Sequence, residues 1–499
     1  MLKFRTVAKG GVHSSRVSGV LLWLLPCVGA LLMTGCSIAE TLQEEEAESP
    51  PDRPNIIFVL TDDLDFASAQ KMPEVRSQLI EEGTSFENAF VSFPTCCPSR
   101  ATILTGLYAH NHHVKANNPP QGGFRTFRSE GLEDSTIALR LQEAGYQTAY
   151  FGKYLNGYAD GDPTHVPPGW DEWYGKLHEH ELYDYMINEN GERASYGSDP
   201  KDFFTDVLAG QATDFAERAA SDSRPFFMYV APTAPHDPTT PAERHKGAFS
   251  DEEAPRPPSF DEEDVTDKPS WIKNIDRLSE KQVSEIDGVH RQRLSSMLAV
   301  DEMVASLVQE LKKAEELDNT FIFFTSDNGF HAGEHRVPFG KRTPYEESAR
   351  VPLFVRGPGV PADSKVDKLT LNTDFAPTFA GLAGVESLAD GHSLGPLLGG
   401  DEGTSSWRTA ILLEAFANEE ALAGPQANLP NYQAVRTETH KYVEHENGER
   451  ELYDLEADPY ELENVYESVD PALIEDLKTR LDALRSCTEA GCREAEDTP

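Results

Sequence analysis

A chain of 499 residues, 38% hydrophobic and 26% charged, is long enough for one large folded domain with a smaller companion. Its formal net charge of −41 argues against nucleic acid as a partner, because such a surface repels a polyanion. A locally basic pocket can still take an anionic substrate, and six cysteines are too few for a disulfide scaffold.

The first predicted segment is an export signal over residues 1–35. Lys3, Arg5, Lys9 and Arg16 precede an apolar run that ends in small residues, with no acid before Cys36. Met33-Thr34-Gly35-Cys36 resembles the lipobox of bacterial lipoproteins, which would make Cys36 the lipidated first residue of a cell-surface protein. Ordinary cleavage to a secreted or periplasmic form, or an uncleaved anchor, are the alternatives. No later stretch is long and apolar enough to span a bilayer, so any membrane contact runs through this end. Residues 36–53 are acidic and proline-bearing and read as a flexible linker.

The folded part opens with a short, continuous apolar run, Asn55 to Leu60, of the kind that is buried on both faces of a sheet. It ends in Asp62-Asp63. Three more such runs follow: one to Phe151 that ends at Lys153, one from Pro225 to Ala231 near His236, and one to Thr325 that ends in Asp327-Asn328. Helical patterns lie between them, one from Asp134-Ser135 as caps to Gly145, another from Arg291 to Leu317. Strand alternating with helix implies an α/β fold with a large, mostly parallel sheet covered by helices. In such sheets the ligand site lies beyond the carboxyl ends of the strands, so these polar residues converge.

A catalytic domain over 54–400 is expected to give way, at the loose stretch "GDEGTSS", to a C-terminal α+β subdomain over 401–499. Its sequence alternates like an antiparallel hairpin around Glu446-Asn447-Gly448 and closes with an amphipathic helix. Cys487 and Cys492 are close in sequence and would be exported, which suits a small disulfide loop. Residues 237–290 read as a long, aperiodic acidic loop, a wall or lid of the cleft, with Trp271 either stacking on a sugar or packing.

Asp62, Asp63, Asp327 and Asn328 offer only oxygen ligands, which suit Ca²⁺, with Mg²⁺ as the alternative, better than a softer metal. Arg100, Lys153 and Lys341 add cations and His236 a titratable donor. A hard cation among basic side chains describes a site for a tetrahedral oxyanion, sulfate or phosphate. The stretch "CCPSR" starts a helix, with Pro98 in its first turn and Cys96 just ahead of amides that face an anion.

Cys96-Cys97-Pro98-Ser99-Arg100 with Leu104-Thr105-Gly106 resembles the Cys-x-Pro-Ser-Arg…Leu-Thr-Gly signature of type I, formylglycine-dependent sulfatases. The likeness extends through "FGKY", "APHDP", "TSDNG", "GKRTPYEE" and "LYDLEADPYELENV". Within that family the motifs are most similar to the N-acetylglucosamine-6-sulfatases. The resemblance implies an alkaline-phosphatase-like sandwich and oxidation of Cys96 to formylglycine by a formylglycine-generating or equivalent maturation enzyme. The hydrate of that aldehyde would join Asp62, Asp63, Asp327 and Asn328 on the metal and attack sulfur. His236, helped by Lys341, would protonate the leaving alcohol. Arg100 would hold the hydrate, Lys153 would bind sulfate, and Cys97 would only pack.

The implied substrate is the 6-O-sulfate of glucosamine units in a glycosaminoglycan or similar sugar. Arylsulfatases commonly place a histidine two residues after the lysine that matches Lys153. Here Leu155 stands there, followed by Asn156, which can offer a hydrogen bond but cannot accept a proton at neutral pH. Asn156, His331 and His335 are candidate substrate contacts, the two histidines equally readable as surface-loop residues. An arylsulfatase or a phosphonate or phosphodiester hydrolase built on the same nucleophile is the enzymatic rival. A surface lipoprotein that binds sulfated glycans without cleaving them is the non-enzymatic one.

Overall fold

The computed structural model describes residues 53–178, 181–387, 389–400, 407–416 and 427–498. The expected export segment, Cys36 and all but the last residue of the linker lie outside them. The described strands are β1 (Asn55–Thr61), β2 (Thr84–Phe86), β3 (Ala89–Phe90), β4 (Gln147–Gly152), β5 (Glu172–Lys176), β6 (Met186–Glu189), β7 (Glu192–Ser195), β8 (Phe226–Ala231), β9 (Thr320–Ser326), β10 (Leu353–Arg356), β11 (Ser364–Val366), β12 (Thr370–Leu371), β13 (Ala410–Ala415), β14 (Tyr432–Thr437), β15 (His440–His445) and β16 (Arg450–Asp454).

Ten of them form one sheet in the order β11-β2-β10-β9-β1-β8-β4-β5-β6-β7. The block β9-β1-β8-β4-β5 is parallel. On both sides of it antiparallel partners follow, β10 on β9 and β6 on β5. The sheet is thus mixed, with the expected parallel order confined to the centre. Every residue of β1 and β9 is buried, as their continuous apolar sequences require. Along β1, Ile56, Phe58 and Leu60 join the core on one face, Ile57 and Val59 that on the other. The second core is closed by the helices Phe204–Ala219 and Glu280–Lys313.

The C-terminal lobe is an antiparallel sheet, β13-β14-β15-β16, with the helix Pro471–Leu484 on its core. The expected turn at Glu446-Asn447-Gly448 joins β15 to β16. Cys487 and Cys492 are disulfide-bonded. Of the residues in the loose stretch, 401–406 lie outside the described ones.

Two local expectations are corrected. The helix Ile137–Glu143 is capped by Thr136, whose hydroxyl accepts from Leu139 N, while Leu132–Ser135 forms a separate 3₁₀ turn. Residues 280–290 are not loop. They begin the 34-residue helix Glu280–Lys313, opened by a capping box between Ser279 and Gln282. Trp271 is buried in the core beneath the C-terminal sheet, so it packs and does not stack on a sugar.

Candidate active site

The register of β1 on β9 sets the site. Asn55 lies opposite Thr320 and Thr61 opposite Ser326, so both strands end level and Asp62 and Asp327 emerge side by side. The Asp327 amide closes the pair by donating to Thr61 O at 3.1 Å. Asp63 follows with φ of 66°, a left-handed conformation that is costly for a non-glycine residue. Its amide is held by Asp327 Oδ1 at 3.1 Å, and Ser326 Oγ catches the next amide, Leu64 N, at 2.8 Å.

Cys96 is the first residue of the helix Cys96–Thr105, one step further in than expected, with Pro98 in the first turn. Its Sγ lies 3.5 Å from Asp62 Oδ1, and Lys341 Nζ lies 2.8 Å from that sulfur and also bonds Asp63 Oδ1. Lys153 Nζ pairs with Asp62 Oδ2 at 2.6 Å. Arg100, on the face of the same helix, reaches Asp327 Oδ2 at 2.8 Å and Asp62 Oδ2 at 3.7 Å. Its other arm donates to Lys153 O at 2.7 Å. Asn328 Nδ2 donates to Asp63 Oδ1 at 2.7 Å, and His236 Nε2 stands 3.8 Å from Asp63 Oδ2. Four strand ends, a helix start and the Lys341 loop therefore meet in one place.

Charge balance explains why this cluster tolerates burial. Burial pushes the Asp62 carboxyl up, but Lys153 first, then His236, Arg100 and Lys341, outweigh it and hold the group well below the carboxylate range. Asp327 is moved upward by burial and by the neighbouring Asp62. The Cys96 thiol is pushed up by burial, in spite of Lys153 and Lys341. A thiol so placed is a poor thiolate nucleophile.

The donor set fits a hard cation. Three buried carboxylates converge, and Asn328 Oδ1, also buried, accepts no hydrogen bond from any described residue. Asp62, Asp63, Cys96 and His236 each bring a potential ligand atom within 4.8 Å of the others.

His331 and His335 are fully buried, which corrects the surface-loop reading. His331 Nε2 is 2.6 Å from Thr343 Oγ1; His335 Nδ1 is 2.7 Å from Glu262, and its ring stacks on Tyr345 at 4.0 Å. These rings anchor their own loop. Leu155 packs in the core, while Asn156 is nine-tenths buried and its carbonyl accepts from Phe124 N at 2.8 Å.

Three supports went unread in the sequence. Asn117 Oδ1 accepts from Cys97 N at 2.9 Å, and Ser326 Oγ donates to Asn328 O at 2.9 Å. Asn372 Nδ2 donates to Ser99 Oγ at 3.0 Å. Asn117 precedes Asn118-Pro119-Pro120, which reads only as a turn, and nothing in sequence links Asn372 to residue 99.

A sulfatase family model matches residues 54–385. The chain belongs to the sulfatase family. It is a sulfuric ester hydrolase, which retires the non-catalytic alternative. A second family model, the C-terminal part of N-sulphoglucosamine sulphohydrolase, matches residues 333–487 of the sulfatase. The sulfatase is 35% identical to N-acetylglucosamine-6-sulfatase of Capra hircus over 478 residues, 88% of this chain and 85% of that one. It is also 35% identical to the extracellular sulfatase SULF-1 homolog of Drosophila melanogaster over 385 residues, 74% of this chain but 33% of that one. Among solved structures it resembles BT4656 in complex with its substrate D-glucosamine-2-N,6-O-disulfate. The TM-score is 0.75 at 27% identity, covering 89% of this chain and 99% of that one. The fold of the chain is the alkaline-phosphatase-like sandwich, with its large sheet and small antiparallel one.

Proposed function

We propose that this sulfatase removes the 6-O-sulfate of glucosamine or N-acetylglucosamine units in sulfated glycans such as glycosaminoglycans, using a formylglycine made from Cys96 and a hard divalent cation. The observation that carries the reading is the placing of Cys96: a neutral, buried sulfur at a helix start, ringed by Asp62, Lys153 and Lys341. Asp62, Asp63, Asp327 and Asn328 would hold the cation, Ca²⁺ by their all-oxygen chemistry, with Mg²⁺ the alternative. The hydrated aldehyde would supply two geminal hydroxyls, one for attack on sulfur and one for release of sulfate, and the cation would supply positive charge to the reacting oxygens.

The remaining work falls to the chain's own residues. Lys341, bonded to the nucleophile position and to Asp63, steadies the leaving oxygen. His236, partly open to solvent at 21% of its side-chain surface, delivers the proton to the departing alcohol. Its Nδ1 faces Asp237 O at 2.6 Å, which turns Nε2 toward Asp63 and the site. Lys153 neutralises charge on the sulfate oxygens, and Arg100 fixes Asp62 and Asp327 in position. The glucosamine preference is supported by the goat relative's name and by the disulfated glucosamine bound to BT4656.

Mass spectrometry of the tryptic peptide containing Cys96 tests the nucleophile: formylglycine at 96 with Cys97 a thiol is expected, and full turnover by unmodified protein rules the nucleophile out. A panel of 2-O-, 3-O-, 4-O-, 6-O- and N-sulfated sugars tests specificity, and preference for a ring-position sulfate overturns the 6-O assignment. Faster cleavage of a phosphodiester than of the matching aryl sulfate would favour the rival hydrolase. Export through residues 1–35 with lipidation at Cys36 and the domain division at 400/401 belong to the same reading. The pattern of residues 1–36 and the extracellular relative support export. The mass of the mature N-terminus decides lipidation.

A further inference from the structure

The long helix Glu280–Lys313 contributes Arg293, a fully enclosed cation behind the site, only 3% exposed. Its guanidinium touches three of the strand-end loops that build the active site. Nη2 donates to Asp63 O, and lies 3.5 Å from Asp65 Oδ2, in the loop after β1. Nη1 donates to Pro235 O at 3.3 Å, one residue before His236, in the loop after β8. The planar group lies 3.9 Å from the centre of the Phe330 ring, two residues beyond Asn328, in the loop after β9. We infer that Arg293 is a positioning residue that fixes these three loops against one another, and so sets the spacing of Asp63, His236 and Asn328.

The chemistry requires arginine. Five donors in a rigid fork can serve two carbonyls and a carboxylate while one face stacks on an aromatic ring. A lysine offers a single point of attachment and no planar face. The burial has a cost, since desolvation weighs against the charge, and Asp65, beside it, compensates only in part. The left-handed turn at Asp63 gives that cost a purpose. Asp63 is held with φ of 66°, and the Arg293 hydrogen bond to its carbonyl braces that conformation.

The inference rests on the cation reading of the site, and its test separates the two. Ca²⁺ dissociation constants are measured by chelator competition on the full chain, for the parent, Arg293→Met, Arg293→Lys and Phe330→Leu, together with kcat and KM on an aryl sulfate. Folding is checked by near-ultraviolet circular dichroism. Removing an outer partner of a metal ligand typically costs ten- to a hundredfold in affinity or activity. Arg293→Met is expected to show about that loss in Ca²⁺ affinity and in kcat, with KM changed less than threefold. Arg293→Lys should recover only part, and Phe330→Leu should fall between the parent and Arg293→Met. A folded Arg293→Met, or Phe330→Leu if the former does not fold, with parent-like affinity and kcat overturns the role of Arg293 while the cation reading stands. A parent that binds no divalent cation overturns both.

Discussion

Cys96 and Asp327 are the two residues whose loss separates the parts of the chemistry. Cys96→Ser keeps an oxygen at the helix start but lacks the second hydroxyl that the proposed formylglycine mechanism uses for intramolecular release of sulfate. Turnover is expected to fall at least about a thousandfold, with no more than a stoichiometric burst of alcohol; sustained turnover at parent rate contradicts it. Asp327→Ala removes a carboxylate that holds Arg100 Nε and the Asp63 amide and faces the proposed cation. Activity should drop a hundredfold or more, a larger loss than that for an outer partner. Chelation of the parent should inactivate reversibly, with Ca²⁺ or Mg²⁺ restoring rate better than Zn²⁺. Parent activity in verified metal-free protein would falsify the cation assignment.

At the scale of elements, the helix Cys96–Thr105 is braced from behind by the end of the chain. Tyr108, just past the helix, donates through its hydroxyl to Glu496 of the helix Ala490–Asp497, and its amide donates to Asp390 Oδ2 at 2.7 Å. Arg408 bridges Glu496 at 3.2 Å and Asp374 at 2.5 Å, all three side chains fully buried. Asp374 lies two residues from Asn372, which holds Ser99 on the nucleophile helix. Glu496→Ala strips one carboxylate from a buried guanidinium and a partner from Tyr108. The expected loss is about 3 kcal/mol of stability, read from the denaturant midpoint. The combined Arg408→Met, Glu496→Leu variant also leaves Asp374 buried without its counter-ion and should lose more still, and an unchanged midpoint in Glu496→Ala would show that the clamp does not stabilise the fold.

For the whole molecule, the buried ionic network between the Ser326–Arg350 segment and its neighbours gives stability a pH dependence. Burial pushes the His335 imidazole down, but Glu347 and Glu262 outweigh it and raise the group from 6.5 to about 9. That stability is fully present below about pH 6.5 and is lost as pH rises through 9. Glu334 is raised from 4.5 to about 8 by burial and then by Glu347, so its folded form holds a proton that the unfolded chain releases, and it too loses stability as pH climbs to 8. Glu346, which burial raises but Lys441 and Arg436 lower, lies at about 2, and so does Glu451, which burial raises but His445 and then Tyr453 lower. Their contribution is present above 4.5 and is lost as pH falls through 2. The melting temperature should therefore be highest between about pH 5 and 6 and decline toward 9, with a shallower decline in Glu334→Gln. A melting temperature that climbs from pH 6.5 to 9 would refute the balance.

The central strands and the residues at their ends were legible in sequence because each is a local signal: a fully buried strand reads as an unbroken apolar run, and its polar terminus marks where burial stops. That is why the sequence alone places Asp62, Lys153, His236 and Asp327 together. The antiparallel flanks of the sheet were not legible, since short strands such as Leu353–Arg356, which runs against β9, carry no period that states their direction. The burial of His331, His335 and Trp271 depends on which surface covers them, and that surface comes from residues far away in the chain. Arg293 shows the limit most clearly. In sequence it is one more charge on a long amphipathic helix; only the docking of that helix behind β1, β8 and β9 brings its guanidinium against three loops, because hydrogen bonds to distant carbonyls leave no trace in local pattern.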